Sequence, residues 1–194
     1  MKYEDSRKET PFATRDHMLD VRKHVTELTF RGFGIKSRKL PKEPSNFSEW
    51  SAESRAKWKK QKEEERDRQA QFDRMFIEDE SRVLRDLCRR IVFLIDQANV
   101  ICPQTIHECD VQRDMQNEAI GLCSNLIREL NHIQDTIPSN ANFLALLTED
   151  IEKVLDLLRG WRTSCWSARK RVAMMELQRK EKLQLEMSIN PINQ

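Results

Sequence analysis

The stretch LRDLCRRIVFLIDQA, residues 84–98, decides the fold class of this chain. Its apolar side chains recur every three or four residues, which is the spacing of one face of an α-helix. Pro103 stops the pattern, because proline cannot continue a helix, and Ser48 is a suitable N-cap upstream. We therefore expect one long helix over residues 48–101. Its predicted inward stripe is Phe72, Phe76, Val83, Leu84, Leu87, Ile91, Leu94, Ile95 and Ala98.

Three more helices are predicted around this one. The same spacing runs over residues 14–30 until Gly32 and Gly34 break it, over 105–136 until Pro138, and over 143–161, after which we expect a polar helix to continue toward 186. The predicted inward positions are Met18, Val21, Val25 and Leu28 in the first, Met115, Ala119, Leu122, Leu126, Ile133 and Ile137 in the third, and Phe143, Leu147, Ile151, Val154, Leu158 and Trp161 in the fourth. No segment has the period of a strand. The expected fold is all-α, an antiparallel four-helix bundle with long charged helical extensions.

Composition divides the chain further. We expect a flexible N-terminus at 1–13, then the bundle at 14–166, which includes a basic loop at 31–47 and a charged helical arm at 48–71. A basic helical tail at 167–194 follows. Within the arm, residues 55–71 have almost no apolar face. Ion pairs between residues four apart can stabilise a helix there, but the helix has no side that could be buried in a core.

Charge is distributed unevenly along the chain, although the net charge is only +2. Residues 1–71 carry 18 basic and 13 acidic side chains, residues 72–158 carry 8 and 16, and residues 159–194 carry 8 and 3. An acidic helical body with basic ends is typical of a scaffold that docks on a polyanion or an acidic partner.

Sites for chemistry are weak by comparison. Cys102, His107 and Cys109 lie close in sequence but lack the paired spacing of zinc ligands, and no glycine-rich phosphate loop is present. We expect no enzyme activity, no metal and no cofactor. Five cysteines without an apolar leader indicate reduced thiols and a cytoplasmic protein. No run of 18 apolar residues exists, so we expect no membrane association.

Basic segments with aromatic residues give the stronger signal. The predicted nucleic-acid-binding residues are Arg31, Lys36, Arg38 and Lys39 in the loop, and Arg162, Trp166, Arg169, Lys170 and Arg171 near the end of the chain. Lys and Arg bind phosphates by releasing counterions, and aromatic rings stack on unpaired bases. Trp161 continues the inward stripe and is expected in the core, whereas Trp166 falls off it. From the residues alone, nucleic-acid contact and a plain solvated surface are equally supported.

Several of these segments resemble the four-helix-bundle accessory proteins of diversity-generating retroelements, known as accessory variability determinants. The similar segments are GFGIKSRKLPK at 32–42, FDRMFIEDE at 72–80, ANVICP at 98–103, RDMQNEAIG at 113–121, LNHIQDTIP at 130–138 and IEKVLDLLRGWR at 151–162. The resemblance covers roughly residues 12–166. It rests on patterns of packing and turns rather than on a catalytic signature.

The resemblance implies a non-enzymatic subunit that forms a ring-like homo-oligomer, typically a pentamer. Such a subunit binds the element's reverse transcriptase and its template RNA and supports mutagenic cDNA synthesis. Independently, Val92, Phe93 and Val100 fall off the inward stripe, and a monomer should not leave them in water. A homo-oligomer is therefore expected on both grounds. The alternative is a helical adaptor or structural protein, phage- or ribosome-associated, with no nucleic-acid role.

Overall fold

Four long helices make up the protein in a computed structural model that describes residues 9–34, 42–137 and 139–189. They are α1 (Glu9–Phe30), α2 (Ala52–Val100), α3 (Ile106–Thr136) and α4 (Ala141–Ile189). Two short 3-10 turns, Gly32–Gly34 and Phe47–Glu49, lie between α1 and α2, and the described residues contain no strand. The all-α prediction is confirmed.

The helices pack in a cycle, with α1 against α2 and α4, and α3 against α2 and α4. Side-chain contacts between neighbours run in opposite chain directions. In the α2–α3 pair, Gln112 near the start of α3 bonds to Ala98 near the end of α2, and His132 near the end of α3 lies beside Glu80. These are the contacts of antiparallel neighbours.

The start of α2 differs from the prediction that Ser48 caps it. Ser48 lies inside the 3-10 turn, and the helix begins only after Ser51, whose hydroxyl accepts a hydrogen bond from the Ser54 amide at 3.2 Å. The cause is Phe47, which is buried and packs its ring 5.0 Å from that of Trp58. Burying Phe47 requires the chain to turn once more before the helix can start.

The turn after α1 is built from three consecutive left-handed residues. Gly32, Phe33 and Gly34 have φ angles of +54°, +57° and +65°. Glycine adopts this region without strain, whereas Phe33 is held there by complete burial of its ring. The Phe33 carbonyl also accepts a hydrogen bond from the Asn140 amide, at 3.3 Å, so the turn joins the end of α1 to the start of α4.

The core lies along the bundle axis and follows most of the predicted stripes. Residue 122 is an exception: Leu122 is only partly buried, whereas Leu130, which the prediction omitted, is 1% exposed. The inward line of α3 is Ala119, Cys123, Leu126, Leu130 and Ile133. This line advances by alternating steps of four and three residues, and Leu122 sits beside it.

On α2 the predicted stripe is too wide at one edge and too narrow at the other. Phe72 and Val83 were predicted to point inward but are 50% and 40% exposed, while Val92 was predicted to point outward and is 8% exposed. Phe93 and Val100 are exposed as predicted. An isolated helix with apolar residues on two sides does not say which side faces the bundle, so packing decides.

Polar side chains of α3, one of them buried, complete the hydrogen bonding of the α2–α3 corner. The Gln112 amide nitrogen donates to the carbonyls of Ala98 at 2.8 Å and Ile101 at 3.2 Å, which a helix end would otherwise leave without partners. Thr105 and Glu108 form a capping box at the start of α3. Side chains at the start of α3 therefore satisfy backbone groups of both helix ends at this corner.

Two of the helices extend beyond the bundle as exposed, charged segments: α2 at its start and α4 at its end. Ion pairs three or four residues apart line the first part of α2, among them Lys57 with Glu53 at 3.0 Å and Lys60 with Glu64 at 4.0 Å. Over residues 141–186 of α4, for which burial is described, Val172 is the last buried residue, and residues 177–186 are exposed. None of the described helices combines the length and apolar content that a membrane crossing requires.

Leu126→Ala tests the core assignment against Leu122→Ala. Leu126 is fully buried, so we expect its truncation to lower the free energy of unfolding by ~2–5 kcal/mol, from lost burial and the cavity left behind. Leu122→Ala should lose clearly less, because part of its side chain already contacts water. Ile151→Ala, also fully buried, should match Leu126→Ala. Urea unfolding followed by circular dichroism measures all three, and equal losses at 122 and 126 would contradict the assignment.

Glu80 supplies a pH-dependent test. Its Oε2 is buried without a hydrogen-bond partner in the described structure, and its Oε1 lies 4.0 Å from Nε2 of His132. Burial, with a smaller contribution from the charge of Glu129, raises the pKa of Glu80 above its ordinary value of 4.5. The folded state therefore resists ionisation of this carboxyl.

We expect Glu80→Gln to stabilise the protein near neutral pH and to have little effect well below pH 4.5, where the carboxyl is neutral in both states. The difference in stability between the variant and the wild type should accordingly grow as the pH rises from 4.5 through the raised pKa of Glu80. Glu78→Gln, at an exposed position on the same helix, is the matched control. Urea unfolding of the wild type and both variants, near neutral pH and well below pH 4.5, measures the stability differences. Equal stability of the wild type and Glu80→Gln at neutral pH would show that Glu80 carries no such cost.

Candidate nucleic-acid interface

A concave surface lies between α3 and α4, at the end of the bundle where α3 begins. Its volume is about 340 Å³. The antiparallel register of the two helices brings residues 109–113 opposite residues 162–169. We call this surface the Trp166 groove, and it is lined by Cys109, Arg113, Arg162, Thr163, Cys165, Trp166 and Arg169.

Trp166 is the centre of the groove. Its side chain is 46% exposed, in contrast to Trp161, which is 5% exposed and lies in the core as predicted. Cζ of Arg113 lies 5.4 Å from the Trp166 ring centroid, and Cζ of Arg169 lies 5.6 Å from it. Both distances fall within the range of cation–π contacts, so the ring and the two cations form one unit.

Arg169 is also paired with a carboxylate. Its Nε and Nη2 atoms donate to the two oxygens of Asp110 at 2.8 and 3.2 Å. These hydrogen bonds hold the pKa of Asp110 below its ordinary value. One member of the basic cluster at 169–171 is therefore opposed by the acidic body, because α3 places Asp110 directly opposite Arg169.

Arg162 has a neutral partner instead. Its Nη1 donates to the side-chain oxygen of Asn117 at 2.9 Å. The guanidinium is thus oriented by α3 while its charge is not cancelled by that contact. The groove therefore holds three guanidinium groups and one opposing carboxylate, which leaves it positively charged.

The other predicted residues are not gathered here. Lys170 and Arg171 are exposed on α4 and do not line the groove. Arg31 is exposed at the end of α1, close to Asn140, which is roughly 40 Å from Trp166 along α4 at a rise of about 1.5 Å per residue. Lys36, Arg38 and Lys39 lie outside the described residues. The predicted set thus includes at least two separate regions.

Sequence reasoning missed Arg113 and Asp110 as members of the site. Each lies on α3, and only the register between α3 and α4 places it beside Trp166 and Arg169. The sequence does contain a signal for this register. Thr105 with Glu108 fixes the start of α3, and α4 begins at Ala141, so counting along the two helices would have placed residues 110–113 close to residues 166–169.

Three of the five cysteines, Cys88, Cys109 and Cys123, are buried. Burial raises the pKa of the Cys88 and Cys123 thiols to about 12, so both stay protonated in the core as small apolar groups. Cys109, at the floor of the groove, is buried as well, and burial raises the pKa of its thiol. Among the described residues, no group of three or more His, Cys, Asp and Glu side chains is arranged to hold a metal ion.

Comparisons with protein-family models, with curated proteins and with solved structures give no match to this chain.

Proposed function

We propose that this chain is a non-enzymatic helical accessory subunit of a diversity-generating retroelement, which binds the reverse transcriptase and its template RNA to support mutagenic cDNA synthesis. The observation that carries the RNA-binding part is the Trp166 groove, where a half-exposed indole is flanked by Arg113 and Arg169 with Arg162 nearby. The resemblance of residues 12–166 to that family supports the choice of partner.

The groove suits a nucleic acid for a chemical reason. Guanidinium groups donate paired hydrogen bonds to phosphate oxygens, and an exposed indole offers an apolar face to a base. An anion without an aromatic group satisfies the charge but leaves the indole in water. A strand of RNA satisfies both with one repeating unit.

The acidic body restricts where RNA contacts the subunit. Residues 72–158 carry twice as many acidic as basic side chains, so a phosphate backbone is repelled from most of the bundle surface. Attraction is left to the groove, to Lys170 and Arg171 beside it, and to the basic segment around Arg31 at the other end. RNA would therefore meet the bundle at its ends, which leaves the sides of the helices for neighbouring subunits and for the polymerase.

One such side is apolar. Successive residues of an α-helix are rotated by about 100° around its axis. With that rotation, five exposed residues of α2 point to the same side of the helix, within a sector about 100° wide. They are Phe72, Met75, Val83, Phe93 and Val100, each at least 40% exposed. This face favours protein contact, and it also supports the second candidate function, a helical adaptor without a nucleic-acid role.

Charge reversal in the groove tests RNA binding. We expect the double variant Arg113→Glu and Arg162→Glu to bind a fluorescein-labelled RNA more weakly than the wild type, because two phosphate contacts are replaced by repulsion. The slope of log affinity against log salt concentration should become shallower by roughly one unit per lost contact. Fluorescence anisotropy over a salt series measures both quantities.

The matched control is the double variant Arg128→Glu and Lys153→Glu, which makes the same change of charge at exposed positions of the same two helices, outside the groove. It should retain more of the RNA affinity and the wild-type salt slope. If added to the partner reverse transcriptase, the groove variant should fail to support cDNA synthesis and the control should succeed. Full RNA affinity in the groove variant at moderate salt would refute the role of the groove and favour the adaptor function.

The apolar face of α2 predicts a homo-oligomer, for which the resemblance implies a pentamer. Light scattering at micromolar concentration should give a multiple of the 23.1 kDa monomer mass. Phe93→Lys should shift the mass toward the monomer, because it places a charge in the proposed contact. Phe30→Lys, at a position that is 91% exposed on α1, should leave the mass unchanged. A monomer mass for the wild type would refute the assembly.

A further inference from the structure

The Trp166 groove combines stacking and charge within a small distance. One indole ring has guanidinium carbons at 5.4 and 5.6 Å from its centroid, one from α3 and one from its own helix. Arg162 lines the same groove four residues before Trp166. All of these side chains stand on helices rather than on loops, so their separation is fixed by the packing of α3 against α4.

The size of the groove limits what it holds. A volume of about 340 Å³ is near the lower end of the range for ligand pockets, which is roughly 300–1,000 Å³. A recognition helix or a folded RNA element does not enter such a space. One planar aromatic group with one attached anion does, and in RNA that unit is a single nucleotide.

We infer that the Trp166 groove binds one unpaired nucleotide of a single-stranded RNA, with the base stacked on Trp166 and the adjoining phosphate held by Arg113 and Arg162. This inference rests on the proposed RNA-binding function and specifies the form of RNA that the groove accepts. According to this inference, the groove distinguishes unpaired from paired RNA, and does not respond to negative charge alone.

Unpaired RNA is required because of where the bases lie in a duplex. In a double helix each base face is covered by its neighbours, so an indole on a protein surface reaches only base edges and the backbone. Stacking on Trp166 needs a base that has left the stack. A duplex can therefore use the arginines of the groove but not the indole.

Asp110 determines which arginines receive the phosphate. Its carboxylate holds Arg169 with two hydrogen bonds and neutralises it, which fixes that guanidinium beside the indole. The same carboxylate repels a phosphate that approaches Arg169. Arg113 reaches the ring from the opposite helix and Arg162 is oriented by the neutral Asn117, so these two are left to hold the anion.

The experiment compares one RNA in two states. A short fluorescein-labelled RNA made only of uridines is titrated with the full chain, alone and after annealing to its adenosine complement. Trp166→Ala should weaken binding of the single strand about five- to 150-fold, the effect of losing one stacked base, and should leave binding of the duplex unchanged. Trp166→Phe should keep most of the affinity for the single strand, because phenylalanine still offers a face for stacking.

Met174→Ala is the matched control, since it removes another exposed apolar side chain two turns further along α4. It should bind both RNAs as the wild type does. Circular dichroism should show the same helix content in all variants, because Trp166 lies at the surface.

The outcomes separate this inference from the function on which it rests. If the wild type binds neither RNA at low salt, the proposed function itself fails. If it binds RNA with a steep salt dependence, and Trp166→Ala either has no effect or weakens single strand and duplex equally, the function stands and the unpaired-nucleotide site is overturned.

Two competitors complete the test. Polyglutamate offers anions without bases, and free uridine monophosphate offers a nucleotide without a strand. Neither should displace the single-stranded RNA at concentrations near that RNA's own dissociation constant. Displacement by polyglutamate would show that the groove takes acidic polypeptide, and displacement by uridine monophosphate would show a pocket for the free nucleotide. Either result would overturn the assignment to a strand.

Discussion

The corner between α2 and α3 depends on one buried amide, that of Gln112. By donating to the carbonyls of Ala98 and Ile101, it closes the end of α2 and fixes where α3 sits beside it. An unpartnered carbonyl in that place would cost about 1–3 kcal/mol, so the corner has little freedom to shift. Asp110 and Arg113 lie within two residues of Gln112 on α3, so the same hydrogen bonds hold them in place. The positions of these two residues beside Trp166 and Arg169 of α4 therefore depend on this corner.

Much of the fold could be predicted from the sequence, because helix spacing and end signals are local properties. The limits of α3 were predicted at 105–136 from its apolar spacing and from Pro138, and the structure has the helix at Ile106–Thr136. What escaped prediction depends on contacts between segments distant in sequence. The delayed start of α2 comes from the burial of Phe47 against Trp58, and the error at Leu122 arises because packing decides which face of α3 points inward.

The same distinction applies to the candidate site. The residues contributed by α4, Arg162, Trp166 and Arg169, were found because a basic stretch with an off-stripe aromatic is visible in one segment. Their partners on α3 were not found, because an arginine and an aspartate in an amphipathic helix look like ordinary surface residues. Each of the two helices contributes residues to the groove. A pattern within one segment reveals only those residues that are unusual in their own helix.

The length of α2 has a mechanical consequence. Its 49 residues form one continuous helix, about 74 Å long at a rise of about 1.5 Å per residue, with neither glycine nor proline inside it. Its first twenty residues carry few apolar contacts, whereas its later turns are anchored in the core from Leu84 to Ala98. Such a helix acts as a stiff lever with its pivot in the bundle. A load on the charged end is transmitted along the rod as a torque on the core rather than dissipated at a hinge.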